Sequence, residues 1–202
     1  SSAASDVYKR QNINGALTAG LKVGVYMFSQ AVNADEAAEE ARFALSKISG
    51  YNITMPVVMD FEFISGGRGR LYQAGLSKDA ATTVVNGFAY TVSCSGYTPM
   101  IYANKTMLEN YMNASGINAK IWLANYTSQT SYAGDYDYWQ YRSNGYVSGI
   151  EGNVDCDFWY DDTDGFTQTV SDGIYTINSA LNTGYTCLLY TSPSPRDRQK
   201  SR

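Results

Sequence analysis

The chain contains no histidine in 202 residues. That absence excludes Ser-His-Asp and Cys-His nucleophile arrangements and histidine-based zinc sites within the visible chain. Any catalysis must rest on carboxylates, tyrosines or lysines. Basic residues are also few, 15 against 19 acidic, and they form no run. Phosphate backbones require clustered Lys and Arg, so nucleic acid is excluded as a partner class. No apolar stretch approaches the roughly 20 residues of a membrane span, and a soluble domain without membrane contact is expected. Cysteine is scarce: Cys94, Cys156 and Cys187. For Cys94 and Cys156, spacing leaves open both a disulfide and two separate thiols.

The two ends read differently from the middle. Residues 6–11 (DVYKRQ) can be encoded by GAT GTG TAT AAG AGA CAG, and residues 187–192 (CLLYTS) by TGT CTC TTA TAC ACA TCT. Apart from the terminal bases these are reverse complements, a relation that inverted DNA adapters produce and protein physics does not. Residues 1–11 and 187–202 are therefore expected to be adapter-derived rather than native, and they are set aside from fold reasoning. The flanks hold six of the basic residues and two of the acidic ones, so the remainder carries a net charge of −8. Its length suits one domain with a sizeable core.

Within that remainder, six short apolar runs alternate with amphipathic stretches: LKVGVYMF (21–28), MPVVMDFE (55–62), TPMIYAN (98–104), KIWLANY (120–126), YDYWQY (136–141) and NVDCDFW (153–159). Asn33 with Glu36 predicts a capped helix through residue 48, Ser77 opens a second, and a shorter one follows Lys105. Strand and helix in alternation predict an α/β fold with a parallel sheet. Closure into an eight-stranded barrel leaves two strands to be supplied upstream of Asn12. The stretch 127–135 has little helical signal, which predicts an irregular barrel on that side.

Polar and aromatic residues stand where the runs end: Tyr26, Asp60, Glu62, Tyr102, Asn104, Tyr126, Gln140 and Asp155. In β/α barrels that face carries the active site. Alternation along MPVVMDFE puts Val58, Asp60 and Glu62 on one face. Two acids on one face of an apolar strand are costly to bury without partners, which points to chemistry. Their proximity predicts that one is ionised while its neighbour keeps its proton, the state a general acid needs. Glycoside hydrolysis uses paired carboxylates, and residues two apart on a strand lie roughly 6.6 Å apart at Cβ, between the retaining and inverting ranges. The 18 tyrosines, with Trp122, Trp139 and Trp159, suit a sugar, whose apolar CH faces and ring of hydroxyls match aromatic rings with polar tips.

The succession AGLKVGVYMF, PVVMDFE, GYTPMIYAN, IWLANY, YWQY and GIEGNVDCDFW resembles the strand-by-strand signature of glycoside hydrolase family 25 lysozymes, over about Asn12 to Tyr160. The resemblance implies an irregular TIM-like β/α barrel, its first two strands missing here, as a partial catalytic domain over 12–162. It also implies hydrolysis of the β-1,4 bond between N-acetylmuramic acid and N-acetylglucosamine. Glu62 would be the catalytic acid, Asp60 its partner, and Asp155 part of the acidic floor. Tyr26, Tyr102, Trp122, Tyr126 and Gln140 would line the cleft. No cofactor and no metal are implied. The partner would be peptidoglycan glycan strands, met outside the cell by a secreted, monomeric enzyme.

The family also has an acid at the end of its first strand. Asp6 does not match it, so this chain is expected to be impaired. A catalytically inactive glycan-binding barrel and a chitinase or glucosaminidase are the alternatives. Residues 163–186 read as a linker and then either the opening of a ricin-type β-trefoil glycan-binding module or a short terminal hairpin.

Overall fold

The computed structural model describes residues 2–160 and three short strands beyond them, with side chains described for 9–160. Helix α1 (Ser2–Thr18) leads into β1 (Val25–Phe28), α2 (Ala34–Ile48) and β2 (Val57–Asp60). Then come α3 (Arg70–Ala74), α4 (Lys78–Cys94), β3 (Pro99–Asn104), α5 (Lys105–Asn110), β4 (Lys120–Ala124), β5 (Tyr138–Gly145) and β6 (Val154–Trp159). β1 to β6 form one curled sheet in sequence order, a half-barrel. The two-residue strand β9 (Thr186–Cys187) pairs with β6, and β7 (Thr167–Ser171) and β8 (Ile174–Asn178) pair as an antiparallel hairpin.

The expected parallel pairing holds from β1 to β5 and fails at the last step, where β6 runs antiparallel to β5. A parallel crossover needs a dozen or more residues, usually with a helix, and the eight residues between Gly145 and Val154 contain no helix. The ladder shifts register at Gln140/Arg142 and again at Arg142/Gly145. Such bulges twist and re-aim a strand. Gly145 lies directly against the Cys156 sulfur, where no side chain fits. Cys94 is exposed and Cys156 buried, and both are free thiols.

The sheet has two unlike faces. On the convex side Val57, Met59, Phe61, Ile101, Leu123 and Trp139 join Ala37, Ala41, Val84, Phe88 and Val92 from α2 and α4 in the main core. On the concave side a smaller cluster holds Val58, Met100, Tyr102, Trp122, Ala124 and Tyr138. Period-two alternation produces both from the same strands.

The expected caps are present. Asn33 accepts from Glu36 N at 2.9 Å and Ser77 from Ala80 N at 3.2 Å. The Glu36 carboxylate reaches Val32 N, one residue before the cap, and takes two hydrogen bonds from Arg70 at 2.6 and 2.7 Å. The Arg70 guanidinium, helped by Val32 N–H, holds that carboxyl down at about 2. This pair ties α3, which follows the β2 carboxylates, to the start of α2.

Helices α2 and α4 meet closely at Gly87, where a Cβ would lie 2.7 Å from Ala34 O and 2.9 Å from Ala34 Cα. Alanine ordinarily favours a helix interior by roughly 0.5–1 kcal/mol over glycine. Here it would collide with rigid backbone, and overpacking costs about 1–3 kcal/mol. Gly87→Ala is therefore expected to lower the melting temperature in a thermal unfolding scan. A rise would mean that the helices do not approach this closely.

Candidate active site

Strand register lines up a row of side chains across the concave face. The pairs Phe28↔Asp60, Asp60↔Tyr102, Tyr102↔Trp122, Trp122↔Tyr138 and Tyr138↔Trp159 are continuous through all six strands. From Tyr102 to Trp159 the rings touch in sequence, with centroids 5.0, 6.2 and 5.8 Å apart. Asp60 thus stands at the end of an aromatic floor. One step nearer the strand ends lies a second row, Asn104, Ala124, Gln140 and Asp157, with Glu62 two residues beyond Asp60.

Asp60 and Glu62 are each only 7% exposed. Phe61 between them turns into the convex core and its N–H continues the ladder to Tyr102 O at 2.9 Å. The alternation expected from MPVVMDFE is therefore kept past the end of β2. Glu62 borders a cavity of about 350 Å³ whose wall includes Phe63, Tyr102, Tyr111, Asn125 and Tyr126. Phe63 packs edge-on against Tyr111 and Tyr72, with centroids 4.9 and 5.3 Å away. One wall of the cavity is thus aromatic and braced by α3 and α5. The volume lies within the range of small-ligand pockets.

Glu62, Tyr102 and Tyr126 meet at the cavity. Asp60, Trp122 and Gln140 are buried beside or behind it on the same face. Burial pushes the Tyr102 phenol well above its ordinary value, and Tyr126, Glu62 and Asp60 add to the shift. Both carboxylates therefore lie within electrostatic reach of that hydroxyl. Tyr26 does not sit at a strand end: it pairs with Val58, one step below Asp60. It is 37% exposed because β1 is the edge of the described sheet. Asn104 accepts from Met107 N at 2.9 Å and so caps α5.

Asp155 is half-buried on β6. Alternation places it on the same face as Asp157, and the antiparallel direction places it nearer the mouth. Asp157 was not singled out from the sequence, although the D-x-D of NVDCD gives both acids the same face. It is fully buried and accepts from Trp122 Nε1 at 2.7 Å, while its Oδ2 has no hydrogen-bond partner. Burial, opposed by the indole N–H and reinforced by Asp155, pushes its carboxyl up to about 7. Among the described residues no group of three or more Cys, Asp or Glu side chains could hold a metal, and no helix is long and apolar enough to cross a membrane.

Comparison with known proteins agrees with this geometry. The model of glycosyl hydrolases family 25 matches residues 1–150. The match includes the segment expected to be foreign and stops short of Asp155. The autolytic lysozyme of Clostridium acetobutylicum is 27% identical over 145 residues, covering 71% of this chain and 41% of the relative. The chain thus spans less than half the length of that curated relative. The modular autolysin LytC of Streptococcus pneumoniae, solved with a synthetic peptidoglycan ligand, superposes with a TM-score of 0.62 at 26% identity, over 74% of this chain and 36% of that one. A family 25 glycosyl hydrolase from Bacillus anthracis has the same fold, with a TM-score of 0.62 at 21% identity over 77% of this chain and 71% of that one.

Proposed function

Because this chain belongs to glycosyl hydrolases family 25, we propose that it acts on peptidoglycan glycan strands, cleaving the β-1,4 bond from N-acetylmuramic acid to N-acetylglucosamine. The observation that carries this reading is the placement of Asp60 and Glu62 together on the concave face, both nearly buried, with Glu62 opening into an aromatic-walled cavity. Glu62 delivers the proton to the glycosidic oxygen of the leaving sugar. Asp60, held at the end of the aromatic floor, orients and stabilises the N-acetyl group of the sugar being cleaved. Asp155 adds negative charge at the mouth, where positive charge develops on that sugar. Tyr102, Tyr126 and Trp122 shape the cleft, and Tyr26 extends it along β1. The reaction needs no cofactor, and its substrate places the enzyme at the cell wall, outside the membrane.

The test is digestion of purified peptidoglycan by the chain expressed together with the coding sequence that flanks it in the source DNA. The products are reduced with borohydride and the reduced sugar is identified by mass spectrometry. Reduced muramic acid is the expected result. Reduced glucosamine would reassign the cleaved bond to a glucosaminidase. No release from a folded protein would favour a glycan-binding barrel without turnover.

A further inference from the structure

Gln140 is 3% exposed and does not border the cavity, although the resemblance to family 25 places it in the cleft lining. Its Oε1 instead accepts two hydrogen bonds from directly behind the wall, from Tyr102 Oη at 2.7 Å and from Tyr126 Oη at 2.8 Å. Both tyrosines do border the cavity. A phenol carries one proton and accepts through its oxygen lone pairs. The two hydroxyls also lie within hydrogen-bond reach of each other, so their protons are held within the Tyr102–Tyr126–Gln140 cluster and neither is left for a ligand. Each can only accept.

We propose that Gln140 is a positioning residue that fixes the hydroxyls of Tyr102 and Tyr126 as hydrogen-bond acceptors facing the cavity, so that the site selects a sugar presenting an N–H or O–H donor there. The inference rests on the glycan-binding part of the proposed function. It assigns Gln140 a role one layer behind the sugar. Without the amide oxygen the two hydroxyls rotate freely, and the cavity loses its preference for a donor. A buried side chain with a fixed acceptor thereby sets the polarity of a surface it does not touch.

Binding measured without turnover tests this. In a Glu62→Gln background, titration calorimetry with a peptide-free peptidoglycan tetrasaccharide gives the dissociation constant. Gln140→Met, similar in size but without the acceptor, is expected to weaken binding about tenfold, roughly one lost hydrogen bond. Gln140→Glu, whose carboxyl still accepts from both hydroxyls, is expected to stay within about threefold. Tyr126→Phe alone should cost no more than Gln140→Met, which frees both hydroxyls, and combining the two should add little, because the Tyr126 hydroxyl is already unfixed once the amide oxygen is gone.

Unchanged binding in Gln140→Met, additive losses in the double variant, or a Gln140→Glu variant as weak as Gln140→Met would each overturn the proposal. The last result would mean that the amide donates to the phenols rather than accepting from them. If the parent releases no sugar yet the Gln140 pattern appears, the hydrolase reading fails and this one stands. If the parent hydrolyses and the pattern is absent, only this one fails. No binding at all would overturn both.

Discussion

Glu62→Gln is expected to lower kcat by about 10²–10⁴, the usual contribution of a positioned general acid, while leaving the fold and glycan affinity close to the parent's. The amide has the shape of the carboxyl and can fill the same space beside the cavity, but it cannot release a proton to a leaving oxygen. Asp60 shares the face and the burial but stands one step deeper, at the end of the aromatic floor, so Asp60→Asn should also impair turnover through the sugar rather than through the proton. Steady-state rates on solubilised peptidoglycan, with circular dichroism as the folding control, provide the check. Retention of more than a tenth of the parent rate by Glu62→Gln would place the acid elsewhere.

The second large effect concerns stability and comes from Asp157. In the unfolded chain its carboxyl titrates near 3.8, and in the folded protein burial moves it to about 7. Between those values the folded state holds a proton that the unfolded state has released. Stability therefore falls as pH rises through this window, and the whole penalty is present above the folded value. Three units at 1.36 kcal/mol each set its size at about 4 kcal/mol at most. Asp157→Asn stays neutral at every pH and still offers an oxygen to Trp122 Nε1. The variant is expected to match the parent near pH 4 and to exceed it in stability at pH 8, as read from denaturant unfolding midpoints. A difference that does not vary with pH would show that Asp157 does not titrate in this range.

Much of the site was legible before any coordinates. The apolar runs located all six strands of the half-barrel, because each is short, largely apolar and bounded by polar residues. Asn33 and Ser77 announced α2 and α4 through the chemistry of their side-chain oxygens. Alternation in MPVVMDFE placed Asp60 and Glu62 together. The reversal of β6 was also within reach, since the eleven residues between the runs 136–141 and 153–159 carry no helical pattern and fall short of a parallel crossover. What alternation does not supply is depth. It puts Asp155 and Asp157 on one face, but which of them lies at the mouth depends on strand direction, and that follows from the connection rather than from the strand. Depth likewise decides Tyr26, which pairs with Val58 one step below Asp60 rather than standing at the end of β1. The double use of Gln140 Oε1 joins residues 14 and 38 positions apart, which no local pattern brings together.

The direction of β6 also governs where the polypeptide goes next. β1 to β5 all point their carboxyl ends toward the cleft, whereas β6 descends, pairing Trp159 with Tyr138 at the start of β5, and Tyr160 N–H then bonds Asp137 O at 2.8 Å. β6 therefore ends at the opposite end of the strands from the cavity, and β9 pairs beside it. The closing residues of β6 thus lie at the other end of the strands from Glu62, and substitutions there act on the aromatic floor rather than on the cavity wall.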